Sequence, residues 1–174
     1  MTADPPSCDD YYRPRRDLAD NDLTILAELR IAVIATVSPS GDPHMAPCWY
    51  LYENNTLLAT VHTQAQRARN IARAGRARIM IEHTLGYISA VGPAQITQHE
   101  NIRSIHDRIA NRYLTETGKQ DFLNAGAPDD AVIEITPTQW TISDITQTSI
   151  PNMLRDHTIN EITGWFAPLA RRDP

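Results

Sequence analysis

Cysteine is nearly absent: Cys8 and Cys48 are the only two in 174 residues, too few for a disulfide framework and without metal-site spacing. Cys48 lies in an apolar, strand-like run and reads as a small buried hydrophobe. Lysine is scarcer still, with Lys119 alone, so positive charge rests almost wholly on arginine. No stretch approaches the ~20 consecutive apolar residues of a membrane span, and the acidic, proline-rich start (1–14) lacks a signal-peptide pattern. The expectation is a cytoplasmic protein with no membrane partner. The six histidines show no HxxxH or HxH clustering, and no metal is expected. Internal repeats and low-complexity tracts are lacking too.

What is present fits one soluble globular domain with a genuine core: 41% hydrophobic and 21% charged residues. The net charge of −5 is unevenly spread. Between residues 54 and 81 there is no Asp or Glu, whereas Arg67, Arg69, Arg73, Arg76 and Arg78 all fall there. A local positive run in an acidic chain calls for an anionic partner or an exposed basic face. Nucleic acid is disfavoured, because the chain is acidic overall and no aromatics interleave with these arginines.

Along the chain, residues 1–20 read as an extended arm and 21–30 as a short amphipathic helix capped by Asp20, Asn21 or Asp22. The period then changes to β: 31–37, 44–52 and 57–62 form a meander, with turns at 38–43 and 53–55. Pro47 lacks a ladder donor, which predicts an edge strand or a bulge. A helix over 63–74, capped by Thr63 and closed by Gly75, is followed by strands at 76–82 and 86–97, the latter bent at Gly92-Pro93. A second helix over 100–114 precedes a sixth strand at 131–145. Short antiparallel strands in this number resolve their free edges by closing into a barrel. The segment 149–174, with Ile162, Trp165, Phe166 and Leu169 at helical spacing, reads as a C-terminal helical extension, leaving 21–148 as the barrel domain.

The informative unit is the strand, turn and helix around Thr60-Val61-His62-Thr63-Gln64-Ala65-Gln66-Arg67. A strand ending in hydroxyl residues delivers donors to one point, and the free N–H groups of the next helix face the same point. Arg67, within the first turns of that helix, can pair bidentately with a phosphate. On spacing alone, a phosphate-monoester site and a solvated basic helix face are equally served.

The ordered features Ile34-Ala35-Thr36-Val37, Ser40-Gly41-Asp42-Pro43-His44-Met45-Ala46-Pro47-Cys48-Trp49-Tyr50, Thr60 with Arg67-Ala68-Arg69-Asn70-Ile71, Ala77-Arg78-Ile79-Met80-Ile81 and Val91-Gly92-Pro93-Ala94 resemble the pyridoxamine 5'-phosphate oxidase-like superfamily of FMN- and deazaflavin-binding proteins. That resemblance implies a mainly β (α+β) fold: a six-stranded antiparallel split β-barrel of Greek-key connectivity with flanking helices. It also implies a homodimer with the cofactor at the subunit interface. By position, Arg67 matches the basic residue on the cofactor phosphate, and Gln66 stands where the oxidases proper often have a second one. Thr60, Val61 and His62, with Thr63 beside them, match the strand end near the ribityl chain and phosphate. Ala46, Pro47, Cys48 and Trp49 match the strand along the isoalloxazine ring, and Tyr87 a polar contact from the partner subunit.

The departures also count. The substrate-gripping C-terminal block of the true oxidases is missing from Trp140–Ile150, which disfavours vitamin B6 as substrate. The expected activity is oxidoreduction between bound FMN and a small organic substrate stacked among Trp49, Tyr87, Trp140 and the C-terminal segment. The alternatives are a deazaflavin (coenzyme F-420) reductase, with Arg69, Arg73, Arg76 and Arg78 along its acidic tail, and a non-catalytic flavin-binding protein. Haem on His62 or His83 is a further option that no residue selects. Catalytic residues are not identified.

Overall fold

The computed structural model describes residues 14–83, 86–98, 102–124 and 131–144. Most of the expected arm and all of the C-terminal extension lie outside them. In chain order the elements are α1 (Asp20–Ala27), β1 (Ala32–Val37), β2 (Pro43–Cys48), β3 (Leu51–Glu53), β4 (Thr56–Val61), α2 (Gln66–Ala74), β5 (Arg76–His83), β6 (Gly86–Thr97), α3 (Ile102–Tyr113), α4 (Glu116–Asn124), β7 (Ala131–Ile135) and β8 (Gln139–Asp144). No described helix is long and apolar enough to cross a membrane.

The strands pair antiparallel in the order β2-β1-β5-β6-β7-β4-β3, with β8 added on β6. The two ends of this path, β2 and β3, are neighbours in sequence yet do not pair. The sheet therefore curls into a mainly β split barrel with flanking helices, as expected. Among the described residues there are eight strands rather than six, because two expected runs each break in two. Residues 44–52 become β2, paired with β1, and β3, paired with β4. Residues 131–145 become β7 and β8, separated by Thr136-Pro137-Thr138. The expected meander is corrected accordingly: the split falls within its second strand, between Cys48 and Leu51. Pro47 does lie on an edge strand, opposite Val33, where a missing N–H is harmless.

Strand β6 carries the architecture. Residues 86–93 pair with β5, 86–91 also with β8, and the last four residues with β7. The change of partner occurs at Gly92-Pro93, where the peptides of 136–138 cross: Thr136 N–H donates to Pro93 O and Thr138 N–H to Val91 O, each at 3.0 Å. Alternation along the strands sends Ile34, Ile79, Ile81, Ile88, Leu57, Ile133 and Ile135 inward to one core, together with Tyr50 and Trp140. Burying each such side chain contributes about 1.5–3 kcal/mol. A smaller core of Leu51, Ile105, Ile109 and Val132 fixes α3 to the outside of β3 and β7.

The helix boundaries differ modestly from the sequence pattern. Helix α1 starts at Asp20 with Ala19 as N-cap, and the buried Asp22 reaches back to accept the Ala19 N–H at 2.8 Å. Helix α2 begins at Gln66, three residues later than expected, so Thr63 is not its cap. Its end is as expected: Gly75 takes the left-handed conformation (φ 62°) and donates to Ile71 O at 2.8 Å. Helix α4 had no counterpart in the sequence pattern. At the other end of the described chain, Arg15 exchanges two backbone bonds with Trp140 on the free edge of β8.

Candidate functional site

The split between β2 and β3 places the end of β2, the end of β4 and the start of α2 around one cleft. Its volume is about 300 Å³, and it is lined by Ile31, Pro47, Cys48, Trp49, Thr60, Arg67 and Phe122. Five of these come from the expected set: Pro47, Cys48, Trp49, Thr60 and Arg67. Thr60 lies outward on β4 between the inward-facing Ala59 and Val61 and lines the cleft.

The remaining expected residues take other positions. Val61 is fully buried in the core, so only its backbone is left to meet a ligand. Ala46 is half-buried two positions before Cys48. His62 is exposed, its Nδ1 accepting the Gln64 N–H at 3.1 Å. Thr63 is half-buried in the turn to α2. Gln66 is held at both ends: its Nε2 donates to Asn70 Oδ1 and its Oε1 accepts from Arg69, each at 2.8 Å. Tyr87 stands on the outer sheet face, opposite Glu82 and Ser143, and does not line this cleft. Trp140, expected at the substrate, is only 1% exposed and packs edge-on against Tyr52 in the core. The geometry removes it from the site. Of the two histidines weighed as haem ligands, neither lines the cleft; His83 is buried at the end of β5.

Two lining residues escaped the sequence pattern. Ile31, half-exposed ahead of β1, reads simply as the start of an apolar strand. Phe122 is carried by α4, a helix of mostly polar residues with no clear apolar stripe. It meets Trp49 at a ring separation of 5.7 Å, and Trp49 in turn lies parallel on Tyr113 at 5.1 Å. Tyr113 is itself tied down, donating to Arg30 O at 2.7 Å and accepting from the Tyr50 N–H at 3.3 Å. One side of the cleft is thus a braced aromatic wall.

The opposite side is electrostatic. Ala65 is the N-cap of α2 and offers no side-chain hydrogen bond, and the first turn holds no acidic residue. The positive dipole end of α2 therefore meets neither an N-cap side chain nor a first-turn carboxylate. Arg67 leaves that same turn, and its Nε is buried without a hydrogen-bond partner. A buried guanidinium nitrogen left unpaired is costly unless a ligand completes it. Three of the other four arginines of the run are engaged elsewhere. Arg69 donates to Gln64 O and Gln66 Oε1, Arg73 to Val37 O, and Arg78 to Ser89 Oγ.

Burial pushes the Cys48 thiol up to about 12, with the Arg67 charge beside it pulling weakly the other way. Burial likewise raises the Tyr113 phenol. Arg67 is then the one charged residue among those lining the cleft. Because the folded value of Cys48 lies above the unfolded one, its stabilising contribution is complete below about pH 9 and is lost as pH rises toward 12. In a Cys8→Ser background, a thiol reagent at pH 8 is expected to modify the folded protein at least about tenfold more slowly than the denatured one. Equal rates would show that the thiol is accessible and ionisable.

Three comparisons bear on this arrangement. A conserved hypothetical protein from Mycobacterium tuberculosis superposes with a TM-score of 0.60 at 19% identity, covering 74% of this chain and 86% of its own. An F-420 reductase gives 0.58 at 20% identity, covering 71% and 98%. General Stress Protein 26 from Bacillus anthracis gives 0.53 at 21% identity, covering 70% and 89%. At such identities these structures establish a shared fold alone. No curated protein matches the chain in sequence. The family model for pyridoxamine 5'-phosphate oxidase matches residues 18–144, which span every strand of the barrel and the whole cleft. The chain belongs to the pyridoxamine 5'-phosphate oxidase family.

Proposed function

We propose that the chain binds FMN by its phosphate at the start of α2 and acts as an oxidoreductase on a small organic substrate. The observation that carries this reading is Arg67, in the cleft with its Nε buried and unpaired, beside a helix N-terminus whose N-cap is an alanine and whose first turn holds no acidic residue. A phosphate monoester would satisfy both features, with Arg67 taking two oxygens and the N–H groups of the first helical turn the rest. The Thr60 hydroxyl adds a neutral donor at the same end. The backbone of Pro47–Trp49 would run along the flavin ring, which supplies the hydride chemistry when bound. No nucleophile–base pair is required of the protein, and the protonated Cys48 thiol supplies none.

The substrate side falls to the aromatic wall of Trp49 and Phe122. A cleft of about 300 Å³ is small and open for a flavin. Its apolar lip runs from Ile31 and Pro47 onto the outer face of β1 and β2, where Val37 and Met45 are 50% and 63% exposed. Such a face supports a second copy of the chain as the missing wall. Tyr87, on the same outer face two strands away, would then reach the partner's cofactor.

Coenzyme F-420 is the second reading, favoured by the resemblance in fold to an F-420 reductase. An acidic tail would call for a basic groove leading from the cleft, whereas Arg76 and Arg78 line a separate cleft on the outer sheet face. That separation favours FMN. The test is reconstitution of the purified protein with FMN, riboflavin and coenzyme F-420, followed by fluorescence titration. Micromolar FMN binding, with riboflavin much weaker, is expected. Binding of none of the three would overturn the reading, and tight binding of the deazaflavin alone would replace FMN.

A further inference from the structure

A buried polar relay ties the start of α2 to the interior of the barrel. Asn70 is 1% exposed, and its Nδ2 donates to Thr36 Oγ1 on β1 at 3.0 Å. Thr36, 4% exposed, in turn donates to His44 O on β2 at 3.5 Å. On the other side Asn70 Oδ1 accepts from Gln66 Nε2, and Gln66 Oε1 accepts from Arg69, whose second nitrogen reaches Gln64 O. The relay begins inside the sheet and ends on the turn from which Arg67 departs.

Besides the relay, the directional contacts of α2 with the sheet lie at its far end, where Arg73 donates to Val37 O and the Ala94 N–H to Gly75 O; nearer Arg67 the rest of the contact is apolar. Ala68 and Ile71 are the hydrophobic residues of α2 that are fully buried. One alanine and one isoleucine hold a helix against a sheet without fixing its rotation closely. Since each residue advances the helix by about 100°, a modest rotation carries the guanidinium of Arg67 away from Thr60. Asn70 lies one turn beyond Arg67 and Gln66, on the face turned toward β1. Its directional bonds supply what the apolar contact lacks.

We infer that Thr36 and Asn70 are positioning residues for the phosphate site, setting the rotation of α2 that aims Arg67 into the cleft. This inference rests on the phosphate-binding reading above. Thr36 does not line the cofactor cleft; it lines the separate cleft with Ala35 and Val37, so its effect passes through α2 or, by way of His44, through β2, and only the first is specific to the phosphate. Rigid support of this kind is what separates a tight site from a loose one.

The experiment compares dissociation constants for FMN and for riboflavin, which lacks the phosphate, in wild type, Thr36→Val, Thr36→Ser and Asn70→Leu, with thermal melts to confirm folding. Thr36→Val keeps the shape and removes the acceptor. It is expected to weaken FMN about tenfold and to leave riboflavin unchanged, the loss of one buried hydrogen bond read out at the phosphate. Thr36→Ser, which keeps the hydroxyl, is expected to stay near wild type. Asn70→Leu should lose FMN preference at least as strongly as Thr36→Val. A wild-type preference for FMN that persists in both Thr36→Val and Asn70→Leu, whatever happens to their melting temperatures, would overturn the positioning role alone. A wild type that binds FMN and riboflavin equally would overturn the phosphate reading, and this inference with it.

Discussion

Replacing Arg67 by alanine is expected to weaken FMN binding by about 30- to 150-fold, the equivalent of roughly 2–3 kcal/mol for a charge-assisted, bidentate contact. Arg67 is the charged residue among the side chains lining the cleft, and Arg69, Arg73 and Arg78 already spend hydrogen bonds on Gln64, Gln66, Val37 and Ser89. None of these three can substitute for it without breaking those contacts, and Arg76 lines the separate cleft on the outer sheet face. Riboflavin should bind the variant and the wild type alike, since the lost interaction acts on the phosphate. Arg67→Lys should recover part of the affinity, because an ammonium supplies charge without the planar fork. Isothermal titration of the two flavins against the three proteins decides the matter. An Arg67→Ala protein that binds FMN as tightly as wild type would place the phosphate elsewhere.

The second large effect concerns the fold. Gly92→Ala is expected to cost about 4 kcal/mol or more, or to prevent folding altogether. A Cβ at this position would stand 1.9 Å from Thr136 O and 2.9 Å from the Thr136 carbonyl carbon. Both are backbone atoms, so no side-chain rotation relieves the clash. The crossing peptides cannot retreat cheaply either, since Thr136 N–H and Thr138 N–H are bonded to Pro93 O and Val91 O on either side. Denaturant unfolding followed by circular dichroism measures the loss. A variant within 1 kcal/mol of wild type, the range of an ordinary glycine-to-alanine change, would mean that β6 and the 136–138 crossing separate more readily than their hydrogen bonds suggest.

Much of the barrel was legible because its strands alternate and its breaks carry strong turn chemistry. The strand at 86–97 has its observed ends at Gly86 and Thr97, and Gly75 closes α2 as its position promised. The turn at 53–55 is made by Asn54 and Asn55, both with positive φ, a conformation that asparagine tolerates. The two splits were not legible. Trp49 and Tyr50 continue the apolar pattern of β2, and Thr136–Thr138 continue that of β7, so periodicity runs straight through. The breaks arise because the strands on either side choose different partners, and nothing local encodes a partner. Helix α4 escaped for a related reason: Phe122 faces an aromatic cluster assembled from two other elements.

For the site, the sequence by itself placed the cation, the hydroxyl and the helix start within one short unit, since a strand, a turn and a helix hold neighbours together whatever surrounds them. It also placed Pro47, Cys48 and Trp49 near that unit, through the ordered motifs of the family. The tertiary structure alone decided which of these side chains meet in one space. It turned Val61 and Trp140 into the core, fastened Gln66 to Asn70, and left Arg67 as the guanidinium with an unpaired nitrogen in the cleft. The physical reason is that periodicity fixes which face a residue occupies, whereas partner strands and long-range hydrogen bonds decide what that face meets.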